Sequence, residues 1–179
     1  MKQEQLHETL HKSLQMLSKN DFRLIAYNLN ERTIAHKLAE HLQTLFPEYH
    51  VDCEYNRDVD QGGSQLKRIN ILKDRYEAVK GKVINGATID VSVYPDIIVH
   101  RRGTNVSNLL VVELKKTTNT DNDAREFDLE KLRCFTDQSD RNTLKYDFGV
   151  FLLLETRDGQ STPDKFIVEE QWFAADRKI

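Results

Sequence analysis

The sequence predicts one α/β domain in which helices flank a mixed β-sheet that contains a β-meander. Three observations carry this expectation. Apolar residues recur at helical spacing as far as Leu45. After Val83 they alternate or run unbroken over short stretches, and one further helical pattern precedes the last strongly apolar run. A chain of 179 residues is long enough to bury a core within a single domain.

Leu6, Leu10, Leu14 and Leu17 mark an amphipathic first helix ending near Asn20–Asp21. A second helix starts after Asn30, a good N-cap, carries Ile34, Leu38, Leu42 and Leu45, and stops at Pro47. Tyr49, Val51, Cys53 and Tyr55 then alternate with polar residues as a half-buried strand. The segment Arg57–Lys80, with Gly62–Gly63 and many basic residues, reads as loop mixed with a short helix. Asn85–Gly86 is a hairpin-type turn, with Ile89, Val91 and Val93 alternating behind it. Asp96–Arg101 and Asn108–Lys115 form two antiparallel strands around a Gly103–Thr104–Asn105 turn. A polar loop, Thr117–Asn122, leads to a helix over Asp123–Thr136. Phe148–Leu154 is a buried central strand, and Lys165–Val168 adds an edge strand before a tail containing Trp172. The domain, 1–179, thus divides into an N-terminal helix (1–20), a core (31–154) and a C-terminal extension (155–179).

Composition narrows the function classes. A hydrophobic fraction of 39% beside a charged fraction of 31% fits a globular, well-solvated chain and excludes a disordered one. No run of about 18 apolar residues exists, so a membrane span is not expected. The first residues lack the apolar core of a signal peptide. Cys53 and Cys134 stand alone without CxxC spacing, which suits a reducing cytoplasm and argues against a disulfide scaffold. The net charge of −3 gives no general affinity for nucleic acid, but the charge is unevenly spread. Lys67, Arg68, Lys73, Arg75, Lys80 and Lys82 cluster in one segment, and Arg101, Arg102, Lys115 and Lys116 follow. Such a run is either a solvated face or a track for a phosphate backbone.

The chemistry-bearing pattern is Asp96 together with Glu113–Leu114–Lys115. Residues i and i+2 of a strand share a face, so Glu113 and Lys115 point the same way. A turn centred between Thr104 and Asn105 places Asp96 opposite Glu113, on that same face. Two opposed carboxylates repel, and a divalent cation removes the penalty. A lysine beside them supplies positive charge where phosphodiester hydrolysis develops negative charge.

Pro95–Asp96 followed by Glu113–Leu114–Lys115 at the end of an apolar strand resembles the PD-(D/E)XK motif of the restriction-endonuclease-like superfamily. The resemblance extends to the order of elements from Glu31 to Leu154. It implies a restriction-endonuclease-like core and a nuclease dependent on Mg²⁺ or Mn²⁺, with DNA as the expected partner. Asp96 and Glu113 would be metal ligands with the Leu114 carbonyl, and Lys115 would position or deprotonate the attacking water. Glu31 matches the family's acidic residue on the preceding helix, and Lys131 matches a polar residue on the following one. A homodimer would bring two such sites to a duplex. The alternative is a catalytically inactive module that keeps the fold to bind nucleic acid or a protein.

His7–Glu8–Thr9–Leu10–His11 also matches HExxH, the zinc-peptidase signature. No sheet precedes it to form a cleft, and no downstream residue is an evident third ligand. A solvated histidine pair beside the leucine stripe is the preferred reading.

Overall fold

Two helices, α1 (Gln3–Ala26) and α2 (Glu31–Leu45), cover one face of the sheet in the computed structural model. Residues 2–58, 65–157 and 159–179 are described, so Gly62–Gly63 lies outside the described residues. The helix expected to end near Asp21 instead kinks there, at φ −129° and ψ 16°, and continues to Ala26. The Asp21 carboxylate at the kink bonds His41 of α2 at 2.7 Å, which ties the two helices together. Asn30 caps α2 as expected, accepting the Thr33 N–H at 2.8 Å.

Among the described residues, ten strands follow the chain order β1 (His50–Cys53), β2 (Arg57–Asp58), β3 (Gln65–Leu66), β4 (Arg68–Leu72), β5 (Thr88–Ser92), β6 (Ile97–His100), β7 (Asn108–Lys116), β8 (Phe148–Leu154), β9 (Ile167–Ala174) and β10 (Arg177–Lys178). Helix α3 (Lys73–Lys80) lies between β4 and β5, and α4 (Asn122–Phe135) between β7 and β8. The main sheet has the order β1-β6-β7-β8-β9-β10 and is mixed, because β8 runs parallel to β7 and the other pairs are antiparallel. A parallel neighbour needs a long crossover, and α4 provides it.

Four features of the strands differ from expectation. The first strand of the antiparallel unit is β1, whereas the strand expected just before Asp96 (β5) pairs with β4 in a separate two-stranded sheet. Arg68–Leu72, within the segment read as loop mixed with a short helix, is thus a strand, and Asn85–Gly86 turns between α3 and β5 without closing a direct hairpin. The expected edge strand is the start of the longer β9, which includes Trp172 and is itself covered by β10. The central placing of Phe148–Leu154 agrees with its unbroken apolar run.

Side-chain alternation divides the sheet into two chemically different faces. Leu110, Val112 and Leu114 of β7 join Val150, Leu152 and Leu154 of β8 under α1 and α2. Val111 of β7 and Phe151 and Leu153 of β8 pack with Leu132 and Phe135 of α4 on the other face. Each fully buried leucine of this kind contributes about 1.5–3 kcal/mol. Glu113 and Lys115 follow Val111 on the α4 face.

Candidate active site

The register of β6 on β7 sets the site. Ile97 faces Val112, Ile98 faces Val111 and Val99 faces Leu110, so continuing by one residue sets Asp96 opposite Glu113. This is the pairing expected from a turn centred between Thr104 and Asn105. A register shift between Val99 and His100 displaces the pairing only on the turn side, where His100 meets Asn108.

Asp96 Oδ2 accepts the Leu114 N–H at 2.8 Å. Glu113 is buried, and its Oε2 accepts from Lys131 Nζ at 2.9 Å. The other oxygen, Oε1, is buried without a hydrogen-bond partner. Lys131 also contacts Asp128 Oδ1 at 2.7 Å, and Lys115 Nζ lies 2.8 Å from Asp128 Oδ2. Glu31 closes the group: its Oε2 is 3.7 Å from Lys115 Nζ and its Oε1 accepts the Lys116 N–H at 3.1 Å. The structure therefore gathers Glu31, Asp96, Glu113, Lys115 and Lys131 in one place, with Leu114 on the strand between two of them.

Asp128 is the member that sequence reasoning missed. Its signal was present, because it lies four and seven residues before Leu132 and Phe135, on the buried stripe of α4. A carboxylate in such a position needs partners, and here they are two lysines. The four carboxylates against two ammonium groups leave two negative charges when all are ionised. One divalent cation balances that surplus.

Burial is the largest influence on both strand carboxyls. It raises Asp96 above the usual carboxylate range, against the Leu114 N–H and Lys131. It pushes Glu113 well upward, with Asp96 and Asp128 adding to the effect and Lys131 opposing it. Burial pulls Lys115 down, but Asp128, Glu31 and Asp96 outweigh it and its pKa is raised. Lys131 is likewise held protonated by Glu113 and Asp128 despite its burial. An ammonium held in this way orients and neutralises charge. Lys116 points elsewhere, its Nζ donating to the Leu29 carbonyl at 2.8 Å and to Asn28 beyond the end of α1.

A cleft of about 330 Å³ opens beside Lys115, lined by Thr117, Asn119, Thr120, Asn122 and Arg125 among others. Compared with known proteins, the chain matches no family model, no curated protein and no solved structure.

Five of the six cations expected to form one phosphate track each have separate partners. Lys67 is only 1% exposed, donates to the Tyr146 hydroxyl at 2.8 Å and lies over the rings of Tyr55 and Tyr146. Arg75 is held by Asp176 at 2.5 Å and Glu130 at 3.3 Å. Arg68 pairs with Asp90, Lys73 with Glu77, and Lys80 sits 4.1 Å over the Phe127 ring. Sequence clustering placed these charges together, but the way each side chain faces and nearby acids direct them to different partners. Arg102 is committed to Asp52, and Arg101 lies over Tyr49.

Burial pushes the Lys67 ammonium down to about 8 from 10.5, with Asp58 and Asp52 opposing. Between these values the unfolded chain binds the extra proton, so this residue makes stability rise with pH. Urea unfolding at about pH 7.5 and 9 should show that slope, and Lys67→Met should remove about 1 kcal/mol of the rise. The lost Tyr146 contact shifts both points of the variant equally. An identical slope in the two proteins would mean that Lys67 is not buried as an ammonium.

Proposed function

We propose that the chain is a Mg²⁺- or Mn²⁺-dependent nuclease, with Asp96 and Glu113 as metal ligands and Lys115 as the catalytic cation. The observation that carries the reading is the buried Glu113 oxygen without a partner, beside the partly buried Asp96 carboxylate and within a group of four carboxylates that meets only two ammonium groups. Hard oxygen donors with excess negative charge fit a hard divalent cation. The Leu114 carbonyl would complete the protein ligands, and Glu31 would hold water at the same centre. When bound, the cation supplies Lewis-acid polarisation of the phosphodiester.

This chain's own residues do the rest. Lys115, held protonated by Asp128, orients the attacking water and offsets charge on the phosphorane. Lys131 keeps Glu113 aimed, and Asp128 fixes both lysines from α4. The Leu114 N–H fixes the Asp96 carboxylate. The cleft beside Lys115 admits the phosphate backbone. DNA is the substrate favoured by the motif's resemblance. The cytoplasm, a reducing compartment, suits the two unpaired cysteines. No described helix is long and apolar enough to cross a membrane.

One observation favours a second reading. Lys131 Nζ, at 2.9 Å from Glu113, is a cation already seated against the expected ligand. A permanent ammonium there suits a non-catalytic module that binds nucleic acid or a protein.

The deciding experiment incubates the purified chain with Mg²⁺ or Mn²⁺ and supercoiled, linear or single-stranded DNA, or RNA. Cleavage that a chelator abolishes is expected. Binding in Ca²⁺ without turnover in any of these mixtures would favour the module. Lys115→Ala should lower the single-turnover rate about 10²–10³-fold, as loss of a charge-stabilising donor does, with metal affinity nearly unchanged. Lys116→Ala removes the cation at the end of α1 and should cost only about 0.3–1 kcal/mol of stability. Equal rate losses in the two variants would refute the strand assignment.

A further inference from the structure

We propose that His7, His11 and Glu170 form a binding site for Zn²⁺ or a similar borderline divalent transition metal, separate from the carboxylate–lysine centre. The one-turn spacing puts both imidazoles on one side of α1, stacked with ring centroids 4.3 Å apart. The third ligand, absent from the sequence reading, comes from β9. His7 Nε2 lies 3.1 Å from Glu170 Oε1, and His11 Nε2 lies 2.9 Å from Glu170 Oε2. One ligand atom from each of the three residues falls within 4.8 Å of the others.

These separations suit a shared ion. Zinc bonds of about 2.0–2.1 Å to nitrogen and oxygen imply roughly 3.4 Å between neighbouring ligand atoms of a tetrahedron. Small side-chain rotations cover the difference. Two imidazoles and a carboxylate are a borderline donor set, which favours Zn²⁺ over Mg²⁺ or Ca²⁺. Glu170 already has the outer support that metal-binding carboxylates use, because Trp172 Nε1 donates to its Oε1 at 2.6 Å. His7 is half exposed, leaving a coordination position open to water.

The location separates this site from the candidate active site. Glu170 faces Leu152 across the β8–β9 pair and Trp172 faces Val150, so both lie on the α1 side of the sheet. Glu113 and Lys115 lie on the α4 side. The ion would fasten the N-terminal half of α1 to β9, adding a coordinated link to the packing of Leu6, Leu10 and Leu14. A cleft of about 660 Å³, lined by His11, Leu14, Ser18, Pro163 and Phe166 among others, opens beside it, and the inference concerns binding of the ion alone.

The test uses untagged, chelator-treated full chain carrying Asp96→Asn, so that the carboxylate centre does not contribute. Equilibrium dialysis against Zn²⁺ should give one bound ion per chain, and Co²⁺ should give visible absorption of low-symmetry coordination. His7→Ala/His11→Ala should lose both signals. Glu170→Gln, which keeps an oxygen acceptor for Trp172, should weaken binding at least about tenfold. Both histidines are substantially exposed, so the double variant should still fold, with circular dichroism as the check. Unchanged stoichiometry in the double variant, or no Zn²⁺ bound by the Asp96→Asn chain, would overturn the proposal.

Discussion

Asp96→Asn should abolish Mg²⁺-dependent cleavage while leaving the chain folded. Substituting a residue that merely supports a metal ligand typically costs 10–100-fold, so removing a direct ligand should cost more than about 100-fold. Asparagine is a sharper choice than alanine. Its amide oxygen can still accept the Leu114 N–H, now bonded to Asp96 Oδ2 at 2.8 Å, whereas alanine would strand that donor at a cost of about 1–3 kcal/mol. Relief of repulsion with Glu113 acts in the opposite direction, so the net stability change should stay within about 1 kcal/mol. The measurements are single-turnover cleavage at saturating Mg²⁺ and urea unfolding in chelator. Full activity in the folded variant would remove Asp96 from the site and with it the proposed metal centre.

How far the sequence disclosed this site depended on whether partners were local. The Asp96–Glu113 pairing was legible because turn position sets strand register, and the register shift happens to fall on the turn side of the pair. Asn30 and the leucine stripe were legible for the same reason: capping and helical periodicity act within a few residues. Asp128 needed only a stricter reading of α4, as a charge on an otherwise apolar stripe. Glu170 was a different case. The stretch after Val168 was read as a tail, because the charged partners of its carboxylates come from far along the chain, Arg125 for Glu169 and His7 and His11 for Glu170. The basic segment misled in the converse way. Net charge in a window says nothing of which way neighbouring side chains face: Lys67, between β3 and β4, turns inward beside Tyr146 while Arg68 reaches Asp90. Local physics is written locally, and ion pairing across the fold is not.

Lys131→Met should be the most destabilising substitution in the site. The lysine is buried and carries one hydrogen bond to Glu113 at 2.9 Å and an ion pair to Asp128 at 2.7 Å. Removing one partner of a buried ion pair typically costs about 3–5 kcal/mol, because the remaining charge stays without compensation. Glu113 would then have neither oxygen partnered, since Oε1 lacks a hydrogen bond already. Adding Glu113→Gln removes that stranded charge, and the double variant should recover about half or more of the loss. Simple addition of the two single costs would show that the residues do not interact. The same variant separates the two functional readings. With the ammonium gone, Mg²⁺ becomes the available counter-charge, so Mg²⁺ should stabilise Lys131→Met more strongly than it does the parent chain. A nuclease also shows Mg²⁺ stabilisation of the parent chain, because Glu113 Oε1 and Asp96 remain available beside Lys131. A module in which Lys131 replaces the metal shows it only in the variant. Thermal unfolding of both proteins with Mg²⁺ or with chelator therefore assigns Lys131 either to steering a ligand or to standing in for the ion.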